Sequence, residues 1–350
     1  MGSIASGSRR PALSAENLAQ GARSRRSRSS LARRLRKAAC FTCREVCGGW
    51  IGSHDHSSAH ILCCLRAQHE MRACPVVGKP AACPAGMSEC CQPMSSKPSI
   101  PPWFETAFRA EYLEVYAHRD QASARAEVGF LLGQGLCGKV LDLCCGQGRH
   151  LIAMRDEGID AFGLDLSQEL LMRAGALEGG QKTVGSLARA DQRMLPLRDE
   201  CFDGATLLFS SFGYHDDCGD AAVIEELRRV LTPQGLLVLD LMNPDSIRAG
   251  LVPHSVREEQ GLRLEETRSL SEDRRRVRKR VRLSRTGSEP LVWEEDVRLY
   301  DPEDLDALLE DHGFLVERRW GAFGAQVFNA QAPRQLVFAR RAAGATSCPV

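Results

Sequence analysis

Lys139 to His150 reads KVLDLCCGQGRH, and the fold turns on how that stretch is parsed. Lys139 to Leu143 is short and almost continuously apolar, as a parallel strand covered on both faces must be. Gly146 and Gly148 then supply a tight backbone path and the close ligand approach that a Cβ would obstruct. His150 opens the apolar spacing of Leu151, Ile152 and Met154, so a helix directs its amide-rich N-terminus at the loop. Strand, glycine loop and helix in that order predict a site for a nucleoside-bearing cofactor. The dinucleotide fingerprint G-x-G-x-x-G fails, because Leu151 stands where its third glycine belongs.

Downstream, Ile159 to Leu164 forms a second apolar strand ending in Asp165, placed where a carboxylate can accept hydrogen bonds from both hydroxyls of a ribose. Val184 to Ala190 reads as a third strand ending in Asp191, and Phe202 to Phe209 as a fourth, leading into SSFGYHDD. Leu236 to Leu241 is the fifth, after the turn Thr232 to Gly235. A helix from Pro302 to His312 starts at Asp301 and stops at Gly313. A strand from Phe314 to Trp320 and a last one from Gln335 to Arg340 complete an α/β pattern.

With these elements laid out, the chain from about Pro102 to Arg341 resembles the class I S-adenosylmethionine-dependent methyltransferases, in the branch whose loop reads DLCCGxGRH and whose fourth strand leads into SFGY. The resemblance implies a Rossmann-like, seven-stranded, mostly parallel sheet with helices on both faces and the last strand antiparallel. It implies S-adenosylmethionine as cofactor, with Asp142, Cys144, Gly146 and Gly148 around its methionine part. Asp165 would then hold the ribose, Leu166 would pack on adenine and Asp191 would accept from the adenine amino group, with Gln192 and Phe209 completing the set. The implied chemistry is in-line methyl transfer to a small-molecule acceptor, in which positioning and desolvation supply most of the rate. The acceptor is expected over the end of the fourth strand, near Ser210, Ser211, Phe212, Tyr214 and His215, under a lid from Trp103 to Tyr116. His215, beside Tyr214, is the candidate base, because imidazole titrates near neutrality.

Plainer readings stand beside these. Asp142 and Asp191 could be strand-end caps, Asp165 could cap a helix starting near Gln168, and His215 could cap the next helix or lie in solvent. Cys144 and Cys145 lack a His or further Cys at ligand spacing, which makes them small buried spacers and leaves no metal site there. Alternative functions are an RNA or protein methyltransferase, or a protein that binds the cofactor without turnover.

Charge divides the chain. Residues 1–93 carry 14 Lys or Arg against 5 Asp or Glu and hold 9 of the 15 cysteines, whereas residues 94–350 carry 32 against 40, a net of −8 that argues against nucleic acid. The basic segment has no apolar period and is expected to be a disordered extension, with the methyltransferase domain over 94–341 and a tail over 342–350. Three readings compete for it: a transit peptide in RSRRSRSSLARRLRK (Arg23 to Lys37), zinc ligands between Cys40 and Cys64, or translated upstream sequence before a working start at Met94. No apolar run reaches membrane length, and cysteines outside any disulfide framework suit a reducing cytoplasm, an organelle being the alternative if residues 1–40 act as a transit peptide.

Between the fifth strand and Pro302, the segments Leu262 to Leu270, Arg276 to Arg285 and Leu291 to Tyr300 predict an antiparallel insertion. In its middle strand Val277, Lys279, Val281 and Leu283 share one face, and Arg276, Arg278, Arg280 and Arg282 the other. The arginine row reads as a solvated face paired with Glu265, Glu294, Glu295 and Asp296, or else as an anion-binding surface.

Overall fold

The computed structural model describes residues 101–343, Gln260 excepted. The expectations for residues 1–93, and for all but the first two residues of the tail, lie outside the described residues. Two short helices come first, α1 (Trp103–Ala107) and α2 (Ala110–Val115), then α3 (Gln121–Gly133). The quoted stretch is β1 (Lys139–Leu143) followed by α4 (Arg149–Asp156). The core continues through β2 (Asp160–Asp165), α5 (Gln168–Arg173), β3 (Leu187–Arg189), β4 (Phe202–Leu207), α6 (Asp217–Val230), β5 (Leu231–Met242) and α7 (Pro244–Gly250). The insertion is β6 (His254–Glu259), β7 (Leu262–Leu270), β8 (Arg276–Arg285) and β9 (Leu291–Arg298). The chain then returns with α8 (Pro302–Asp311), β10 (Phe314–Ala322), β11 (Gln326–Val327) and β12 (Arg334–Arg341).

The main sheet runs β11-β10-β12-β5-β4-β1-β2-β3. Strands β1 to β5 are mutually parallel, and β12 enters antiparallel between β5 and β10. The count is eight rather than seven because the loop after β10 folds back far enough for the two-residue β11 to pair with it. Alternate residues of β1 feed opposite layers. Leu141 and Leu143 join Phe202, Ile224, Leu227 and Leu305 on one face, while Val140 joins Val128, Leu131, Leu151 and Met154 on the other. Burial of this kind is worth roughly 1.5–3 kcal/mol per large side chain. It sets β1 at the centre, so the loop leaving β1 is held rigidly.

Several boundaries depart from expectation for local reasons. Val184 is 80 % exposed and Gly185 turns the chain at φ 74, so β3 begins only at Leu187. The fourth strand stops at Leu207, since Phe209 and Ser210 take φ 59 and 58. The turn Thr232 to Gly235 sits inside β5 as a register shift against β4 rather than before it. The insertion has four strands; β6, HSVREE, shows no apolar alternation and was not expected. Asp301 stands at the N-cap of α8, but its carboxylate serves Arg248 at 2.6 and 3.0 Å instead of the helix.

In the insertion, Val277, Val281 and Leu283 are buried, and Arg278 and Arg280 lie outside opposite Asp296 and Glu294. That is the solvated-face reading, with two corrections. Glu295 lies on the inner face, paired with Lys279 at 2.9 Å. Arg276 turns inward, donating to the carbonyls of His215 at 3.1 Å and Gly213 at 3.3 Å. Among the described residues no helix is long and apolar enough to cross a membrane.

Candidate active site

A cavity of about 440 Å³ opens at the carboxyl ends of the parallel strands. All strands of a parallel sheet deliver their C-terminal loops to one edge, which is where this fold binds ligands. The glycine loop forms its floor. Gly146 and Gly148 take φ 58 and 78, which L side chains adopt at a cost, and Cys144 carries the same strain at φ 60.

Asp142, at the end of β1, is buried; its Oδ1 accepts from Thr206 at 3.0 Å and its Oδ2 has no hydrogen-bond partner. Burial raises its pKa, partly countered by His150. Asp165, at the end of β2, accepts from the backbone nitrogens of Gly146 at 2.7 Å and Ser167 at 2.8 Å. Ser167, not Asp165, caps α5. Burial pushes the Asp165 carboxyl up to about 6, against those two hydrogen bonds.

Leu166 lines the cavity beside Asp191 and Gln192. Asp191 takes the backbone nitrogen, Nε and Nη2 of Arg193 at 2.9, 3.1 and 2.7 Å, the Asx-turn geometry of the plainer reading. Burial alone would raise its pKa, but the hydrogen bonds from Arg193 outweigh it and hold the carboxyl low. Oδ1 takes two of these bonds and Oδ2 only one, so Oδ2 keeps a lone pair that an amino donor can share.

Gln192 is buried and sits between two neighbours. Its Oε1 lies 3.5 Å from Cys144 Sγ, and its Nε2 donates to His215 Nε2 at 3.1 Å, which places the imidazole proton on Nδ1. His215 neither caps α6, whose cap is Asp216, nor lies in solvent. Burial, then nearby Arg193, lowers its pKa to about 4. Tyr214 is wedged against Trp103, Phe104 and Phe108 at 4.8, 6.3 and 5.8 Å, and burial raises its hydroxyl well above the ordinary range.

Residues 140–235 match the family described as "Methyltransferase domain". Over those residues the chain is similar to a methyltransferase domain. A demethylmenaquinone methyltransferase of Thermotoga maritima is 34% identical over 114 residues, 31% of this chain and 46% of that protein. A 2-phytyl-1,4-naphtoquinone methyltransferase of Synechococcus elongatus is 36% identical over 115 residues, 31% of this chain and 48% of its own. The chain thus spans less than half the length of these curated relatives. The CcbJ methyltransferase of Streptomyces caelestis has the same fold, with a TM-score of 0.59 at 19% identity over 68% of this chain and 99% of that one. So does an S-adenosylmethionine-dependent methyltransferase of Clostridium acetobutylicum, with a TM-score of 0.59 at 16% identity over 66% and 98%.

The cavity is also lined by residues that the sequence alone did not single out. The lid was expected over Trp103 to Tyr116, but its contribution is specific: Phe104, Phe108, Tyr112 and Tyr116 line the wall, one per turn of α1, α2 and their junction. Arg119 and Arg149 flank the ring of Phe209 at 4.4 and 4.3 Å. Arg149 faces Glu127 at 3.4 Å, whereas Arg119 has no carboxylate within ion-pair distance among the described residues and bonds only Tyr112 Oη, at 2.9 Å. Arg119 Nε and Arg149 Nη2 are buried without partners. Arg149 stands inside the quoted loop and could have been found; nothing in the local sequence marks Arg119.

Proposed function

We propose that the protein transfers a methyl group from S-adenosylmethionine to a small-molecule acceptor. The observation that carries this reading is the set of buried polar atoms left unpartnered in one cavity: Asp142 Oδ2, Arg119 Nε and Arg149 Nη2. Buried polar atoms without partners are rare, and several in one pocket fit a ligand that completes them. An amino-acid zwitterion has the matching charges. Asp142 would take its ammonium group and Arg119, which no carboxylate neutralises among the described residues, its carboxylate group. Asp165 supports the ribose end, and Leu166, Asp191 and Gln192 the adenine end, as their places around the cavity allow.

When bound, the cofactor supplies an electrophilic methyl group on a sulfonium. Acceptor orientation falls to Ser211, Tyr214 and His215 at the end of β4, and exclusion of water to the aromatic lid. Neutral His215 is suited to take the acceptor's proton at Nε2, once Gln192 yields its contact there. The curated relatives named above act on quinone-type acceptors, which favours a small molecule over nucleic acid, as does the net −8 of residues 94–350. Incubating the purified chain with a metabolite extract and methyl-labelled S-adenosylmethionine tests the reading. Label in a small-molecule fraction is expected; label only in RNA or protein contradicts it.

A further inference from the structure

Lys279 is out of place by composition. It lies on the buried face of β8 between Val277 and Val281, and only 13 % of its side chain is exposed. A buried ammonium is tolerated only when paired, and its cross-strand neighbour in the β8–β9 register is Glu295. The two meet at 2.9 Å, Glu266 of β7 stands 3.7 Å away, and the exposures of both acids are similarly low. Lys279 also contacts the hydroxyl of Tyr116, which donates to both oxygens of Glu295 at 3.2 Å. Trp293 Nε1 gives Glu295 a further bond at 3.2 Å.

Tyr116 belongs to the cavity. Its ring lies under the guanidinium of Arg119 at 4.1 Å, and it packs 4.5 Å from Tyr112, whose hydroxyl is the one hydrogen-bond acceptor of the Arg119 side chain among the described residues. With no carboxylate within ion-pair distance among the described residues, Arg119 is held by those two rings together with that of Phe209 at 4.4 Å. The rings in turn depend on the insertion: Val115 packs with Leu264, Val281 and Leu283, and Arg257 donates to the Val115 carbonyl at 3.0 Å. The start of α5 also meets this part of the lid: Glu169 accepts from the nitrogen of Ala110 and Ser167 donates to the carbonyl of Phe108.

We propose that Lys279 and Glu295 are positioning residues for the carboxylate subsite of the cofactor, acting through Tyr116 on Arg119. The inference rests on the reading of Arg119 given above and adds a role for the insertion: it sets how tightly the amino-acid end of the cofactor is held. The charged triad of Lys279, Glu266 and Glu295 does not line the cavity whereas Tyr116 does, so its effect on a ligand passes through Tyr116 and falls on the end next to Arg119. The adenosine end is held by β2 and β3 and does not pass through it.

The test is calorimetric titration of the full chain with S-adenosylhomocysteine and with methylthioadenosine, which keeps the nucleoside but lacks the amino-acid part. Tyr116→Phe keeps the ring and loses the link to Glu295. Glu295→Gln keeps the shape and loses the charge. Each is expected to weaken S-adenosylhomocysteine about tenfold and methylthioadenosine by no more than about twofold, the scale of one charge-assisted contact. Arg119→Ala is expected to lose at least as much, with little further loss when Tyr116→Phe is added, as coupled residues behave. Equal weakening of both ligands would reduce the triad to a general support for the lid and overturn the inference. A selective loss in Arg119→Ala with none in the other two variants would overturn it while leaving the Arg119 reading intact. An unchanged preference in Arg119→Ala would remove both.

Discussion

The carboxylate of Asp165 accepts a hydrogen bond from the backbone nitrogen of Gly146 across 2.7 Å, tying the end of the second strand to the glycine loop that follows the first. One side chain thereby fixes the loop and faces the cavity. Asp165→Ala should weaken cofactor binding by about 1–3 kcal/mol, measured by calorimetry.

The same residue gives two opposite pH slopes. Burial has raised its carboxyl from 3.8 to about 6, so its contribution to the stability of the free protein is present below pH 3.8 and lost as pH rises through about 6. Ribose binding needs the ionised form, so cofactor affinity should instead fall as pH drops through about 6. Titrations on either side of that value check the second slope, and the Asp165→Ala protein should lack it.

Asp142 is a case of function held at the expense of stability. Its Oδ2 is buried without a partner, so Asp142→Asn, which removes the buried charge, should raise the stability of the free protein by about 1 kcal/mol. The same change should weaken S-adenosylhomocysteine by about tenfold or more, because the ammonium group loses its counter-charge. Thermal melts with and without ligand show both effects in one experiment.

Replacement of His215 by Asn should lower turnover by roughly a hundredfold and leave cofactor affinity nearly unchanged. With burial and then Arg193 holding the imidazole down at about 4, it is neutral at physiological pH. The turnover profile of the unaltered protein should therefore carry no limb from His215 between about pH 6 and 8. Unchanged turnover in the Asn variant would reduce His215 to a packing residue.

Gly163 in β2 predicts a mechanical link. A Cβ there would come within 2.7 Å of both Cys145 Sγ and Leu187 Cδ2. Gly163→Ala should cost about 1–3 kcal/mol of stability by overpacking, and should also weaken the cofactor, since Cys145 lies in the glycine loop. Denaturant unfolding checks the first effect and calorimetry the second.

What the sequence revealed and what it hid follow from the range of the forces involved. The run from Lys139 to His150, the acids at strand ends and the apolar face of β8 were legible because each is a local pattern of period or turn. Strand β6 was not legible, since an exposed strand at a sheet edge needs no apolar alternation and HSVREE has none. Nor was β11, a pairing of two residues made by a loop. In the site, Asp142, Asp165 and Gln192 could be placed by their distance from a strand. Arg119, Tyr116 and Lys279 could not, because their relation is made by the lid meeting a sheet more than 150 residues later. Lys279 alone left a trace, as a charge among Val277, Val281 and Leu283.

The cavity at the ends of β1 and β2 is proposed to hold S-adenosylmethionine. The most direct measurement is calorimetric titration of the purified chain with S-adenosylhomocysteine, the demethylated product, beside a parallel titration with a nicotinamide dinucleotide. A dissociation constant in the micromolar range, about −8 kcal/mol, is expected for the first and no heat from the second. Binding of the dinucleotide with none of S-adenosylhomocysteine would contradict the proposal.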